Sequence, residues 1–108
     1  MNFDVLITRQ FERKYKKLSK KYRSLSSDLS SLIEELETNP KTGDEILRDC
    51  YKIRLAIQSK GKGKSAGARV ITFVQIVDQT VFLLDIYDKS EQENISNKEL
   101  KEMIERIL

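Results

Sequence analysis

Only Asp78 and Gln79 separate two long apolar runs, ARVITFVQIV (Ala68–Val77) and TVFLLDIYDK (Thr80–Lys89). So short a link leaves room for a reversal and little else, so the two runs are expected to pair as antiparallel strands. A third run, YKIRLAI (Tyr51–Ile57), precedes them across KGKGKSAG, and the three predict an antiparallel meander. Period-two alternation then assigns faces. Ile53, Leu55 and Ile57 oppose Lys52, Arg54, Ala56 and Gln58. Val70, Thr72, Val74 and Ile76 oppose Arg69, Ile71, Phe73 and Gln75. Phe82, Leu84 and Ile86 oppose Val81, Leu83, Asp85 and Tyr87. The first set of each strand suits a helix-covered face. The second set is mixed, and its apolar members need a cover of their own.

The rest of the chain supplies covers. Phe3, Val5 and Ile7 alternate as a short first strand, and Thr8 can cap the helix after it. Phe11, Tyr15, Leu18 and Tyr22 fall on one helical face, with lysines around the remainder. Leu25, Leu29, Leu32, Ile33 and Leu36 continue the spacing after a break near Ser24 to Ser27, which predicts a second helix antiparallel to the first. Asn39-Pro40 ends it, because the residue before proline is pushed out of the helical region. Lys41–Asp49 is expected to be a polar connection. Ser96-Asn97-Lys98-Glu99 is a capping box, and Leu100, Met103, Ile104 and Ile107 follow it as one apolar stripe. That last helix is the candidate cover for the second face. The expected fold class is α+β: one domain over 1–108, built of a strand, a two-helix hairpin, a three-stranded antiparallel meander and a C-terminal helix.

With 108 residues, 39% hydrophobic and 34% charged, the chain fits one globular core. No apolar run approaches the roughly 20 residues that cross a bilayer, and the N-terminus lacks the pattern of a signal peptide. Cys50 is alone and histidine is absent, which argues against structural zinc and disulfides and fits a cytoplasmic setting. No membrane association, metal or cofactor is expected. Net charge is only +3, yet from Tyr51 to Gln75 there are six Lys or Arg and no acid. A one-signed field over the strands predicts a polyanion as partner.

Lys52 and Arg54 share a strand face, and Arg69 and Tyr87 join it if the meander registers simply. Lys60, Lys62 and Lys64 sit in the loop between, where Gly61, Gly63 and Gly67 free the backbone to approach a phosphate. Tyr87 offers an aromatic plane for an unpaired base, and Lys89 extends the face. Plainer readings stand beside these. The lysines can simply keep a hairpin loop soluble. Tyr87 can be a half-buried sheet residue, the helix 1 lysines a solvated face, and Cys50 a packing residue.

The early F-x-x-x-x-x-x-L spacing of Phe11 and Leu18, then YKIRL, GKGKSAGARVI and LLDIYDKSEQENIS, resemble the RelE/ParE superfamily of bacterial toxins from type II toxin–antitoxin systems, on its RelE/HigB-like side. The resemblance covers nearly the whole chain and implies a microbial-RNase-like fold. It implies a metal-independent endoribonuclease that enters the ribosomal A site and cuts mRNA by attack of a ribose 2′-OH on the adjacent phosphate. It implies a cognate antitoxin, the ribosome and mRNA as partners. Carried onto this sequence, Lys52, Arg54, Arg69 and Tyr87 are the catalytic candidates, with Arg69 bracing the phosphate. A lysine lowered in pKa by neighbouring cations is a conceivable base where histidine is missing. Lys60, Lys62, Lys64, Lys89, Lys17, Lys20 and Lys21 are the candidates for gripping RNA. A non-cleaving inhibitor on the same fold, such as a ParE-like DNA gyrase poison, and a plain nucleic-acid-binding module are the alternatives.

Overall fold

The computed structural model describes residues 2–61, 63, 66–92 and 94–108. A five-stranded sheet of order β1-β5-β4-β3-β2 forms its middle layer. The strands are β1 (Asp4–Ile7), β2 (Asp44–Leu47), β3 (Cys50–Leu55), β4 (Ala68–Gln75) and β5 (Thr80–Asp88). Three helices flank it: α1 (Arg9–Lys21), α2 (Leu25–Thr38) and α3 (Asn97–Ile107). β3, β4 and β5 form the expected antiparallel meander. β1 joins β5 in parallel, Asp4 opposite Thr80 and Ile7 opposite Leu83. β5 is therefore an inner strand buried along nearly its whole length, which accounts for its near-continuous apolar sequence. Among the described residues no helix is long and apolar enough to cross a membrane.

Two apolar clusters sandwich the sheet. Phe11 and Leu18 of α1 and Leu25, Leu29, Leu32 and Leu36 of α2 pack with Ile53, Leu55, Ile57, Val70 and Val74. On the opposite face, Leu100 and Met103 of α3 pack with Cys50, Ile71, Leu84 and Tyr87, and Ile104 and Ile107 flank them. The mixed face thus has the cover its sequence requires. The local signals are also in place. Thr8 Oγ1 accepts from the Phe11 amide at 3.3 Å. Ser96 Oγ accepts from the Glu99 amide, the capping bond, and donates to the Glu99 carboxylate, each at 3.1 Å. α2 ends at Thr38, just ahead of Asn39-Pro40.

Four expectations need correction. The polar connection 41–49 contains a strand, β2, laid against the start of β3 with Asp44 opposite Lys52. The reversal between β4 and β5 is wider than two residues: it spans Ile76–Gln79, closed by the Gln79 amide on the Ile76 carbonyl at 3.1 Å. Ile76, expected on the helix-covered face, is consequently exposed, and so is Val77 beside it. Finally, the alternation of β5 breaks. Ile71 pairs with Asp85 but Thr72 with Leu83, so β5 holds one extra residue, Leu84, at a bulge. Beyond a bulge the facing inverts. Val81, Leu83 and Ile86 pack toward α1 and α2, whereas Phe82 and Leu84 pack toward α3.

Candidate functional site

The register of the meander sets Arg54 of β3 opposite Arg69 of β4, and Arg69 opposite Tyr87 of β5. Residues directly opposite in neighbouring strands have Cβ atoms roughly 5 Å apart, so the three side chains form one row across the sheet. The bulge lies on the other side of Asp85, which is why Tyr87 keeps the facing expected of it while the first half of β5 does not. Lys52 stands one row away, opposite Ile71 and, on its other side, Asp44.

Burial divides the row. Arg54 is exposed, while Arg69 is only 5% exposed and Tyr87 only 4%. One Nη of Arg69 donates to the carbonyl of Ala68 at 3.2 Å. Two like charges placed directly opposite repel, and burying one of them adds a desolvation cost. An anion lying across both guanidiniums relieves that repulsion. The Tyr87 hydroxyl is buried and has no hydrogen-bond partner among the described residues. Burial raises its pKa, with Arg69 pulling it down and Asp85 pushing it up, so the phenol keeps its proton at neutral pH. It is a neutral donor and acceptor in need of a partner, next to two cations.

Asp85 and Asp88 flank Tyr87 along β5. Asp85 is fully buried and forms an ion pair with Lys14 of α1 at 2.8 Å. Asp88 is met by four donors: Tyr22 Oη at 2.5 Å, Lys60 Nζ at 2.9 Å, and the amide and hydroxyl of Ser90 at 2.9 and 2.7 Å. Burial acts to raise the Asp88 pKa, but these hydrogen bonds outweigh it and hold the carboxyl well below the usual range. The bond from Asp88 raises Lys60 in turn, against an opposing effect of burial. A lysine held protonated in this way is not a proton acceptor.

The basic loop residues divide accordingly. Lys60, expected to grip RNA, spends its ammonium on Asp88 and has a side chain only 12% exposed. Lys62 and Lys64 lie outside the described residues. Lys17 and Lys20 are exposed on α1, and Lys21 pairs with Glu91 at 2.8 Å. Lys89 follows β5, its amide donating to the Gly67 carbonyl at 3.0 Å. Gly67 serves packing rather than a phosphate: a Cβ there would lie 2.2 Å from the Leu55 carbonyl oxygen. Cys50 is buried in the α3 cluster, where burial pushes its thiol up to about 11. Tyr87 also borders a 290 Å³ cleft with Lys14, Lys17 and Asp88. A larger groove of 590 Å³, with an apolar floor and Arg9, Arg13 and Arg106 along it, lies between the start of α1 and α3, away from the row. Sequence reasoning missed Asp85 and Asp88. Their signal was two acids beside the aromatic residue of an otherwise apolar strand, where an unpaired charge is rarely tolerated.

Solved structures share this fold. A doubly substituted E. coli RelE toxin in the free state aligns with a TM-score of 0.66 and 21% identity over 100% of both chains. The toxin–antitoxin complex RelBE2 from Mycobacterium tuberculosis aligns with a TM-score of 0.58 and 17% identity, over 82% of this chain and 92% of that one. The E. coli RelE mutant bound to an antitoxin RelBc peptide gives 0.57 and 22%, again over 100% of both. Residues 5–106 match the sequence family described as the RelE toxin of the RelE/RelB toxin–antitoxin system. With that match running over nearly all of its length, the chain belongs to the RelE toxin family.

Proposed function

We propose that this chain is an endoribonuclease that cuts mRNA on the ribosome and is neutralised by a cognate antitoxin. The observation that carries the reading is the row Arg54–Arg69–Tyr87: two opposed cations, one buried, beside a buried phenol without a hydrogen-bond partner among the described residues. Such a row suits a phosphodiester with a hydroxyl next to it. Family membership supports the toxin role, and the relatives solved with antitoxins support the antitoxin as partner.

In the reaction the 2′-oxygen forms a bond to phosphorus and the P–O5′ bond breaks. One proton leaves the 2′-OH and one arrives on O5′, giving a cyclic phosphate and a 5′-OH. Negative charge grows on the two non-bridging oxygens, and preorganised cations there stabilise it more than the ground state. Arg69 takes one of these oxygens through its planar fork, and Arg54 meets the same phosphate from the adjoining strand. For Tyr87 to orient the 2′-OH through its hydroxyl, the side chains packed over it must first shift, because ring and hydroxyl are both buried. Lys52, one row away, serves the proton transfers or the RNA backbone.

Induced expression in growing bacteria, with mRNA 5′-ends mapped within minutes, tests the reading. Cuts in reading frame on translated messages, absent from untranslated ones, are the expected result. Growth arrest with intact mRNA would overturn it and turn attention to DNA gyrase. Arg69→Ala should abolish toxicity while the protein stays folded, and a stable, fully toxic variant would remove Arg69 from the site.

A further inference from the structure

Asp88 lies one residue beyond Tyr87 and is 1% exposed, yet it never reaches the anion row; its carboxylate is turned to other work. It joins three segments that are distant in sequence. Tyr22 comes from the end of α1, Lys60 from the foot of the loop that leads to Arg69, and Ser90 from the turn after β5. Lys21 adds a fourth approach at 3.9 Å. The ammoniums of Lys21 and Lys60 also lie 5.3 and 5.5 Å from the centre of the Tyr22 ring, within cation–π range.

The other foot of the same loop is held by the residue that follows β5. The Lys89 amide donates to the Gly67 carbonyl at 3.0 Å, and Ala68 pairs with Asp88 in the ladder. Both ends of the loop are therefore fixed to positions 88 and 89, directly after Tyr87 and directly before Arg69. One attachment is a backbone bond that any residue can make. The other needs a carboxylate at 88 and an ammonium at 60. A buried acid satisfied by so many donors is costly to keep if its only task is stability, since apolar replacements often serve as well.

We propose that Asp88 is a positioning residue for the anion row, acting through Lys60 and Tyr22 rather than on the RNA. This rests on the reading of the row as the site of cleavage. Removing the charge at 88 leaves the Lys60 ammonium enclosed without a counter-ion, so the ammonium swings into solvent and loosens that foot of the loop, where only the Ser59–Ser24 and Gln58–Asp28 bonds to α2 remain among the described side-chain ties. Arg69 keeps its ladder position opposite Arg54 and Tyr87, but its side chain is then held less firmly in the row. Small displacements of a positioned group cost rate out of proportion to stability.

The test compares the wild-type chain with Asp88→Asn, Lys60→Met and the double variant. In Asp88→Asn, native-state exchange of the Lys60, Gly61 and Lys89 amides should rise at least tenfold, while Val70 and Val81 stay as protected as in the wild type. With ribosomes programmed by a defined message, kcat should fall at least tenfold and KM change less than twofold. Lys60→Met should show the same loss, and the double variant no further loss. Unchanged exchange at the three amides overturns the proposal, as do additive losses in the double variant, which would mean that Asp88 does not act through Lys60. Should Asp88→Asn fail to fold, Tyr22→Phe removes one donor without altering charge. It should then show a smaller rise in Lys60 and Gly61 exchange with a parallel fall in kcat, and identity with the wild type in both overturns the proposal. A wild-type protein that leaves translated mRNA intact overturns the cleavage reading instead, and the exchange measurement alone then decides on the clamp.

Discussion

Tyr87 carries a buried hydroxyl that no described residue bonds, and the cost of burying a polar group without such a bond falls on stability. Tyr87→Phe should therefore raise the unfolding free energy, or leave it unchanged, while lowering cleavage at least tenfold. A residue kept only for packing would show no loss of activity. Thr72 provides the control. Its Oγ1 is equally buried and without a partner among the described residues, but it lies on the sheet face covered by α1 and α2. Thr72→Val should stabilise by up to about 1 kcal/mol in urea unfolding, with cleavage unaffected. Asp88 gives a pH signature. Its pKa is depressed by folding, so its contribution is fully present above the unfolded carboxylate value near ~3.9 and is lost as pH falls below it. The difference in stability between wild type and Asp88→Asn should be flat from pH 7 to about 5 and shrink in stronger acid. At this scale Arg54, Arg69 and Tyr87 were legible, because period two puts them on one face and charge and aromaticity mark them. The engagement of Lys60 was not, because its partner lies 28 residues away and only the tertiary fold brings them together. Gly67 read as a loop glycine because nothing local reveals the Leu55 carbonyl packed against it.

Elements were legible where their signals are local. The capping box at Ser96 and the stripe behind it foretold α3 and the face it covers, because a cap and a 3.6-residue period need only neighbours in sequence. Ser96→Ala should cost about 1 kcal/mol by loss of the cap, and Leu100→Ala about 2–5 kcal/mol by opening a void under α3. Thermal unfolding of the two variants checks the order. β2 was missed because DEIL is short, half polar and without alternation; it forms where β3 offers an edge. The bulge at Leu84 was missed for a related reason. Either register buries apolar side chains on a strand this uniformly hydrophobic, so the sequence carries no local mark of where the facing inverts.

At the scale of the molecule, the first strand in sequence is seated on the last. β1 is paired only with β5, some 76 residues later, and the Phe3 amide reaches back to the Glu37 carbonyl at 2.8 Å. A chain ending at Gln79 lacks that partner strand, α3 and the apolar side chains of β5 that α1 packs on, so it should show no cooperative unfolding transition by circular dichroism and no toxicity. Contacts of such sequence separation form late, because the intervening chain must be ordered before they can repay the loss of freedom. Translation adds a direction to this. β1 and both N-terminal helices are synthesised long before the strand they sit on, and Tyr87 is made after every other member of the anion row. On the proposed reading, a nascent chain thus passes most of its synthesis with the row incomplete, and the timing of activity is written into strand order: the row is whole only when the last strand has been made.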